Sequence, residues 1–166
     1  LMSRAGKKLA QFVTEKVPQG HKVLFFCGRG HNGGDGLCAA QFLKELSYEP
    51  EVIMIPGELQ ELEERLLNEI SELHIPVHSF EEYDKIMIEK YDVVVDCIIG
   101  HGLSVPPRRD PEQMILAINE AEEHNIPIVA CDVPSGMDCD EGPIYEPHVL
   151  ATHIVSFALP RMGLRG

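Results

Sequence analysis

The chain has 166 residues, of which 44% are apolar, and its formal net charge is −13. This length and composition predict a single folded domain, and the excess of acidic groups argues against nucleic acid or an anionic membrane as a partner. The sequence shows no signal-peptide pattern and no apolar run near the roughly 20 residues of a membrane-spanning helix.

Helical and strand-like patterns alternate along the chain. Apolar spacing predicts helices over residues 1–17, 35–46, 58–73, 80–90 (the weakest) and 110–124. Short continuous apolar runs predict strands over residues 22–27, 51–56, 92–100, 126–134 and 152–160. Apolar strands separated by helices are typical of parallel strands buried on both faces. The predicted fold class is therefore α/β, a three-layer, doubly wound, mainly parallel sheet with helices on both faces.

Three loops rich in glycine and polar residues follow predicted strands, over residues 28–36, 100–110 and 132–142. In doubly wound sheets, ligands bind beyond the carboxyl ends of the strands. Loops that only connected elements would not need this chemistry three times at one edge. We therefore expect the three loops to form one ligand site.

The first loop contains CGRGHNGGDG, residues 27–36, directly after an apolar strand. Its glycines permit positive φ and close backbone approach, and successive N–H groups can form an anion-binding nest. A generic tight turn is the competing interpretation, and no Lys-Ser or Lys-Thr follows as in a Walker loop. Asn32 offers a carbonyl oxygen to a hard cation. Asp35 is expected either to cap the following helix or to face ligand hydroxyls.

Two further loops begin with aspartates at strand ends. Asp96 lies in apolar surroundings and needs a cation or several hydrogen-bond donors, because an unpaired buried carboxylate is costly; a structural salt bridge is the alternative. Asp132 ends the next strand, and Ser135 follows it in a Pro-Ser-Gly turn. Together with Asn32 these side chains form an oxygen cluster of the kind that hard cations prefer.

Histidine and cysteine patterns narrow the chemistry further. His31 and His101 lie in ligand-facing loops, where each could donate to a phosphate, but neither has a recognisable nucleophile partner. Ser-His-Asp hydrolysis is therefore a poor fit. The five cysteines show no C-x-x-C spacing, which favours a reducing compartment without a disulfide framework or a zinc site.

Four motifs in fixed order carry a family resemblance: GRGHNGGDGL, VVVDCIIGHGL, IPIVACDVPSGMD and VSFALPRMGL. Together they resemble the NAD(P)H-hydrate epimerase family, the YjeF N-terminal domain, and the opening LMSRAG is similar to the start of that family's first core helix. The resemblance covers essentially the whole chain. It implies one Rossmann-like domain over residues 1–166, and we expect this domain to be trimmed at both ends.

The resemblance also implies an activity. Members of the family are isomerases that interconvert the R and S epimers of hydrated NADH and NADPH, a metabolite-repair reaction that a separate dehydratase completes. It further implies a homodimer. The cysteine pattern, and not the resemblance, predicts a cytoplasmic location, with an organelle not excluded.

The resemblance assigns roles to particular residues. It implies a monovalent cation, typically potassium, held by Asn32, Asp96 and Ser135. We expect Asp132 to be the catalytic carboxylate, because epimerising a carbinolamine carbon passes through developing positive charge. The implied substrate-binding residues are His31, Asn32, Gly33, Gly34, Asp35, Gly100, His101, Gly102, Leu103, Ser104, Val105, Pro106 and Asp132.

The sequence departs from the family pattern at three positions. His31 replaces the usual Asn, Arg29 stands where proline is frequent, and His101 replaces a small hydroxyl residue. These changes keep one alternative open, a non-catalytic nucleotide-ligand-binding and dimerisation module of the same fold. A nicotinamide-dependent dehydrogenase is a further alternative, but it needs an acid after the second strand, where Glu58 is the only nearby candidate.

Overall fold

The computed structural model describes residues 3–19, 21–57, 61–99, 110–137 and 144–156. Six parallel strands form one sheet. The strands are β1 (Lys22–Cys27), β2 (Glu49–Met54), β3 (Val77–Ser79), β4 (Val93–Cys97), β5 (Ile128–Cys131) and β6 (His153–Val155). The helices are α1 (Ser3–Lys16), α2 (His31–Glu45), α3 (Glu61–Glu72) and α4 (Asp110–Glu123).

The strand order is β3-β2-β1-β4-β5-β6. The chain runs outward from β1 to β3 and then returns to the other side of β1 with β4. This reversal between β1 and β4 is the topological switch point at which doubly wound sheets bind ligands. The register pairs Cys27 with Cys97, so both strands end side by side at this point. The predicted α/β class is confirmed.

Apolar layers cover both faces of the sheet. In β1, Val23 and Phe25 pack in a cluster with residues of α1, α2 and α3, whereas Leu24 and Phe26 pack in a second cluster with residues of α4. All four side chains are fully buried. Strands covered on both faces explain why the sequence shows continuous apolar runs and no alternation with polar residues.

The segment after β3 differs from the prediction. The helix expected over residues 80–90 is wrong, because this segment forms two short 3₁₀ turns, Phe80–Lys85 and Ile88–Lys90. Phe80, Tyr83 and Ile86 pack against the second apolar cluster. Their spacing of three matches the three residues per turn of a 3₁₀ helix. β3 was not predicted, because three residues are too few to show a periodic pattern.

The glycine-rich stretch is mostly helical. Helix α2 begins at His31, four residues before the predicted start, and Gly30 occupies its N-cap position with φ 122°. The backbone N–H of Gly34 donates to the Gly30 carbonyl at 3.0 Å, which closes the first helical turn. Asp35 therefore lies inside α2, and its predicted capping role is wrong. The chain reverses within Gly28 to Gly30, so the helix begins directly at the switch point.

Three glycines of this stretch are needed for close packing within the protein. A Cβ at Gly28 would overlap the carbonyl oxygen of Ile98, and a Cβ at Gly33 would overlap that of Gly28. At Gly36 a Cβ would come within 2.8 Å of the Cys97 Sγ and 2.9 Å of the Cys27 Sγ. The missing side chains thus let α2 lie tightly against the ends of β1 and β4.

Candidate functional site

A cleft of about 370 Å³ opens at the carboxyl ends of β1, β4 and β5. The turn before α2 and the first turns of that helix contribute most of its lining. The other lining residues come directly after β4 and β5 in the chain. The lining residues are Arg29, Gly30, His31, Asn32, Asp35, Ile99 and Asp132. Its volume is within the range of small-molecule sites.

The structure brings most of the described candidates together. His31, Asn32, Asp35 and Asp132 line the cleft. Gly33 and Gly34 are buried in the first turn of α2 beside it. The predicted ligand segment from Gly100 to Pro106 lies outside the described residues.

Asp96 is a fully buried carboxylate that several donors stabilise. Its Oδ1 accepts from the Ser135 hydroxyl at 2.7 Å and from the Ile98 N–H at 3.2 Å, and its Oδ2 accepts from the Ser135 N–H at 2.8 Å. Burial raises the pKa of Asp96 to about 6, although the hydrogen bonds from Ser135 and Ile98 act in the opposite direction. The sequence-based expectation of several donors is thus confirmed.

Asn32 is positioned by its amide nitrogen, while its oxygen is left without a partner. The Nδ2 donates to the carbonyl oxygen of Cys131 at 2.9 Å, which ties α2 to the end of β5. The Oδ1 of Asn32 is buried and accepts no hydrogen bond. A buried acceptor of this kind costs about 1–3 kcal/mol unless a ligand or ion satisfies it.

Asp132 follows β5 in a strained backbone conformation. Its φ is 76°, in the left-handed region that Asp and Asn tolerate better than most residues. Its N–H donates to the Val155 carbonyl at 2.7 Å, which completes the last β5–β6 pair, Cys131 with Val155. Strained residues often occur at functional sites, where the surrounding structure fixes them.

The charges in the cleft influence one another. Burial raises the pKa of Asp35 to about 6; the charge of His31 lowers this pKa, and that of Asp132 raises it. His31 and Asp35 lie four residues apart on α2, which places them on the same face of the helix. The cleft therefore presents two carboxyl groups that interact, one of which has a pKa close to neutrality.

Three carboxylates surround the end of β5. The hydrogen bond with Cys97 lowers the pKa of the Cys131 thiol, but burial and the charges of Asp35, Asp96 and Asp132 raise it overall. Carboxylates that converge in this way create a negative potential, which a bound cation would offset.

The residues predicted to hold a cation fit such a group. Asn32 contributes a buried oxygen without a partner, Asp96 a buried carboxylate, and Ser135 a buried hydroxyl. These are hard oxygen donors of the type that alkali and alkaline-earth cations prefer. Among the described residues, no three His, Cys, Asp or Glu side chains are grouped so that they could hold a metal ion. The set of Asn32, Asp96 and Ser135 is different, because it combines one carboxylate with an amide and a hydroxyl oxygen.

Ser135→Ala is expected to lower the free energy of unfolding by about 1–3 kcal/mol. The substitution removes the hydroxyl that donates to Asp96 and that accepts from the Ile99 N–H at 3.0 Å. Urea unfolding of both proteins measures the difference. Ser71→Ala, at an exposed position of α3, is the control and should change stability by less than about 0.5 kcal/mol. Equal stabilities of Ser135→Ala and the wild type would contradict this assignment.

Sequence reasoning did not predict Gly30 and Ile99 of the lining, nor Glu63 of α3, which contacts Gly30. Glu63 is the most informative of these. It is a buried carboxylate with only 6% exposure, and its Oε2 accepts from the Gly30 N–H at 2.9 Å. A signal was present, because Glu63 lies three residues before Leu66 and seven before Ile70, on the apolar face of the predicted helix. Arg29 was noted only as a departure from the family, and it lines the cleft.

The described helices include none that is both long and apolar enough to cross a membrane. The cysteines among the described residues are buried and form no disulfide; they are Cys27, Cys38, Cys97 and Cys131.

Fold and site together define an α/β protein of the doubly wound class, with an acidic cleft at the switch point between β1 and β4. Comparison with known proteins gives the family: the model described as "YjeF-related protein N-terminus" matches residues 1–163. The chain belongs to this family.

Curated relatives and a solved structure agree with this assignment. The NAD(P)H-hydrate epimerase of Paramecium tetraurelia is 32% identical over 99% of this chain and 69% of its own length. That of Saccharomyces cerevisiae is 34% identical over 97% and 70%, respectively. The crystal structure of yeast YNL200c superposes with a TM-score of 0.84 at 33% identity, covering 94% of this chain and 69% of that one.

The chain is shorter than these relatives. It spans only 56% of the Plasmodium vivax NAD(P)H-hydrate epimerase, to which it is 34% identical. It spans 31% of the bifunctional NAD(P)H-hydrate repair enzyme Nnr of Hyperthermus butylicus, to which it is 33% identical.

Proposed function

We propose that this chain is an NAD(P)H-hydrate epimerase domain, an isomerase that interconverts the R and S epimers of hydrated NADH and NADPH. The observation that carries the proposal is the pairing of Asp35 and Asp132 in one cleft at the switch point. The names of relatives that match nearly the whole of this chain support it.

The chemistry suits two carboxyl groups. The reacting carbon of the hydrated ring bears a hydroxyl group and is bonded to the ring nitrogen. One route to inversion is loss of the hydroxyl as water, followed by return of water on the opposite face. Asp35, with its pKa near 6, can give a proton to the departing hydroxyl, and Asp132 can take a proton from the water that returns on the opposite face; exchange with solvent then resets both groups. Asp132 would stabilise the cationic ring between the two steps, and no electrons are exchanged.

A potassium ion is part of the proposal. Asn32, Asp96 and Ser135 would hold it, as their oxygen atoms and burial suggest. When bound, the ion would supply a positive charge that offsets the carboxylates around β5. The protein's own contribution is to keep Asp96 in place through Ser135 and to fix Asn32 on Cys131.

Substrate contacts beyond the described cleft remain part of the proposal. The segment from Gly100 to Pro106 would contact the rest of the dinucleotide. Gly33 and Gly34 are buried in α2, so they can contact a ligand only through their backbone.

Partners and compartment complete the proposal. We infer a functional pairing with a dehydratase, which the two-function name of the Hyperthermus relative supports. A homodimer is supported by Leu116 and Leu150, which are 48% and 39% exposed. Both flank Asn119, whose Oδ1 accepts from the Leu150 N–H. A reducing compartment such as the cytoplasm is supported by the free thiols of the described cysteines.

An epimerisation assay tests the proposal. The protein receives one isolated epimer of NADH hydrate, and chromatography follows the appearance of the other epimer against the spontaneous rate. The expected result is clear acceleration that is greater in potassium chloride than in choline chloride. NADPH hydrate serves as the second substrate. No acceleration by the full-length protein with either substrate in either salt would favour the non-catalytic binding module.

A further inference from the structure

The buried carboxylate of Glu63 lies at the start of α2. Its carboxylate accepts from the N–H of Gly30, the N-cap residue, at 2.9 Å, and the side chain is almost fully buried. Gly30 lines the cleft, so this carboxylate lies at its edge. A helix N-terminus carries unpaired N–H groups and a partial positive charge, both of which attract anions. Here one of these donors is already bound to a group of the protein.

In dinucleotide-binding folds with this strand order, the helix after β1 receives the pyrophosphate at its N-terminus. Three features of this chain oppose that arrangement. Glu63 occupies the Gly30 N–H, Asp35 and Asp132 face the same cleft, and Gly28 and Gly33 are packed against the protein's own backbone. A phosphate at this point would face the carboxylates of Glu63, Asp35 and Asp132, and such like-charge juxtapositions disfavour binding. Arg29 and His31 line the same cleft and act in the opposite direction.

We propose that Glu63 is a specificity-determining residue that excludes phosphate groups from the turn before α2. The dinucleotide then lies with its hydrated nicotinamide ring, and not its pyrophosphate, toward α2. This orientation brings the ring to Asp35 and Asp132. The orientation rests on the proposed function, whereas the exclusion of phosphate does not.

Arg29 directly precedes Gly30 and brings a positive charge to the turn before α2. Its guanidinium lies against Gly57, just beyond the end of β2, where a Cβ at Gly57 would meet the Arg29 Cζ at 2.8 Å. In dinucleotide folds an arginine near this point can hold a ribose phosphate. If the positive charge of Arg29 had a larger effect than the negative charge of Glu63, the wild-type protein would bind phosphate at the turn before α2. Titration with pyrophosphate separates these two outcomes.

The first test measures binding of inorganic pyrophosphate to the full chain at fixed ionic strength. The variants are Glu63→Gln, which keeps an oxygen for the Gly30 N–H, and Glu64→Gln, an exposed neighbour on α3 that matches the charge change. Calorimetry gives affinity, and the amide resonance of Gly30 reports the location. We expect Glu63→Gln to bind at least about tenfold more tightly than the other two proteins, as loss of a close like charge predicts.

Two outcomes would overturn the exclusion of phosphate. One is equal affinity of Glu63→Gln and Glu64→Gln. The other is a Gly30 resonance that shifts with pyrophosphate in the wild type and ceases to shift in Arg29→Gln. The wild-type titration decides this second point even if Glu63→Gln does not fold.

The second test measures kcat and KM for the NADH hydrate. If Glu63 sets the orientation, Glu63→Gln also admits the reversed, unproductive orientation, so kcat and KM should both fall by the same factor relative to Glu64→Gln. A KM that falls about tenfold at unchanged kcat would place the pyrophosphate beside residue 63 in the productive complex and overturn the orientation, and unchanged values of both would show that Glu63 does not set it. A wild-type protein without epimerase activity would refute the proposed function. The pyrophosphate titration would still decide the role of Glu63.

Discussion

Asp132→Asn is expected to lower the epimerisation rate at least about 100-fold while leaving the fold intact. Asn keeps the size of the side chain and tolerates the left-handed conformation at φ 76°. The N–H of residue 132 can still donate to the Val155 carbonyl, so the β5–β6 pairing persists. The substitution removes the negative charge that would stabilise the cationic ring. Steady-state rates at saturating substrate measure the effect.

The matched control is Asp92→Asn, which makes the same chemical change at an exposed position just before β4, at the opposite end of that strand from the cleft. The Asn oxygen can still accept from the Lys22 N–H. Its rate should stay within about twofold of the wild type, as for surface substitutions away from a site. Thermal unfolding should give the wild-type midpoint for both variants to within a few degrees. Near-normal turnover by folded Asp132→Asn would refute the assignment of the catalytic carboxylate.

Potassium is expected to raise the midpoint of thermal unfolding at pH 8 and to lose this effect as the pH falls below about 6. The proposed ligand Asp96 has a folded-state pKa of about 6, and it must be ionised to hold a cation. At ten times the dissociation constant, binding adds about 1.4 kcal/mol, or roughly 3–6 °C for a domain of this size. Choline chloride at equal ionic strength separates specific binding from screening.

The pH dependence of stability gives a second test. Burial raises the folded-state pKa of Asp96 and of Asp35 from 3.8 to about 6. Between those pH values the folded state binds more protons than the unfolded state, so these groups make the protein less stable as the pH rises through this window. Without potassium, stability should therefore fall from pH 4 to pH 7 through these two groups, and with potassium the fall should be smaller.

Asp96→Asn is the variant for the potassium experiment, and Asp92→Asn, at an exposed position before β4, is its control. The potassium-dependent rise should disappear in the first and persist in the second. An equal rise in choline chloride, or a potassium effect of the same size at pH 5 and pH 8, would contradict the proposed cation site.

Much of the fold could be predicted because the sheet is buried on both faces. KVLFFC coincides with β1, and the runs over 92–100, 126–134 and 152–160 each contain one strand. The run over 51–56 overlaps β2, which begins two residues earlier, at Glu49. The switch point followed from the polar residues at strand ends, since Asp96 and Asp132 each mark where a buried strand stops. The 3₁₀ turns over residues 80–90 were missed, because a spacing of three also fits an α-helical face over so short a segment.

Site details that depend on tertiary packing could not be predicted from local pattern. The glycines at 28, 33 and 36 indicated close approach, but only the structure shows that they pack against Ile98, Gly28 and the cysteines of β1 and β4. Glu63 is 33 residues from Gly30 along the chain, so no local motif joins them. The sequence likewise could not show that the Asn32 Oδ1 lacks a partner, because this depends on the tertiary hydrogen bond from its Nδ2 to the Cys131 carbonyl.

The most direct test of the proposed isomerase follows the reaction from both sides. Separate reactions start with the pure R and the pure S epimer of NADH hydrate, and chromatography records the epimer ratio over time with and without the protein. We predict that both reactions reach the same final ratio much faster with the protein than without it, and that total hydrate is conserved. Ratios that change only at the spontaneous rate from both starting points would contradict the proposed activity.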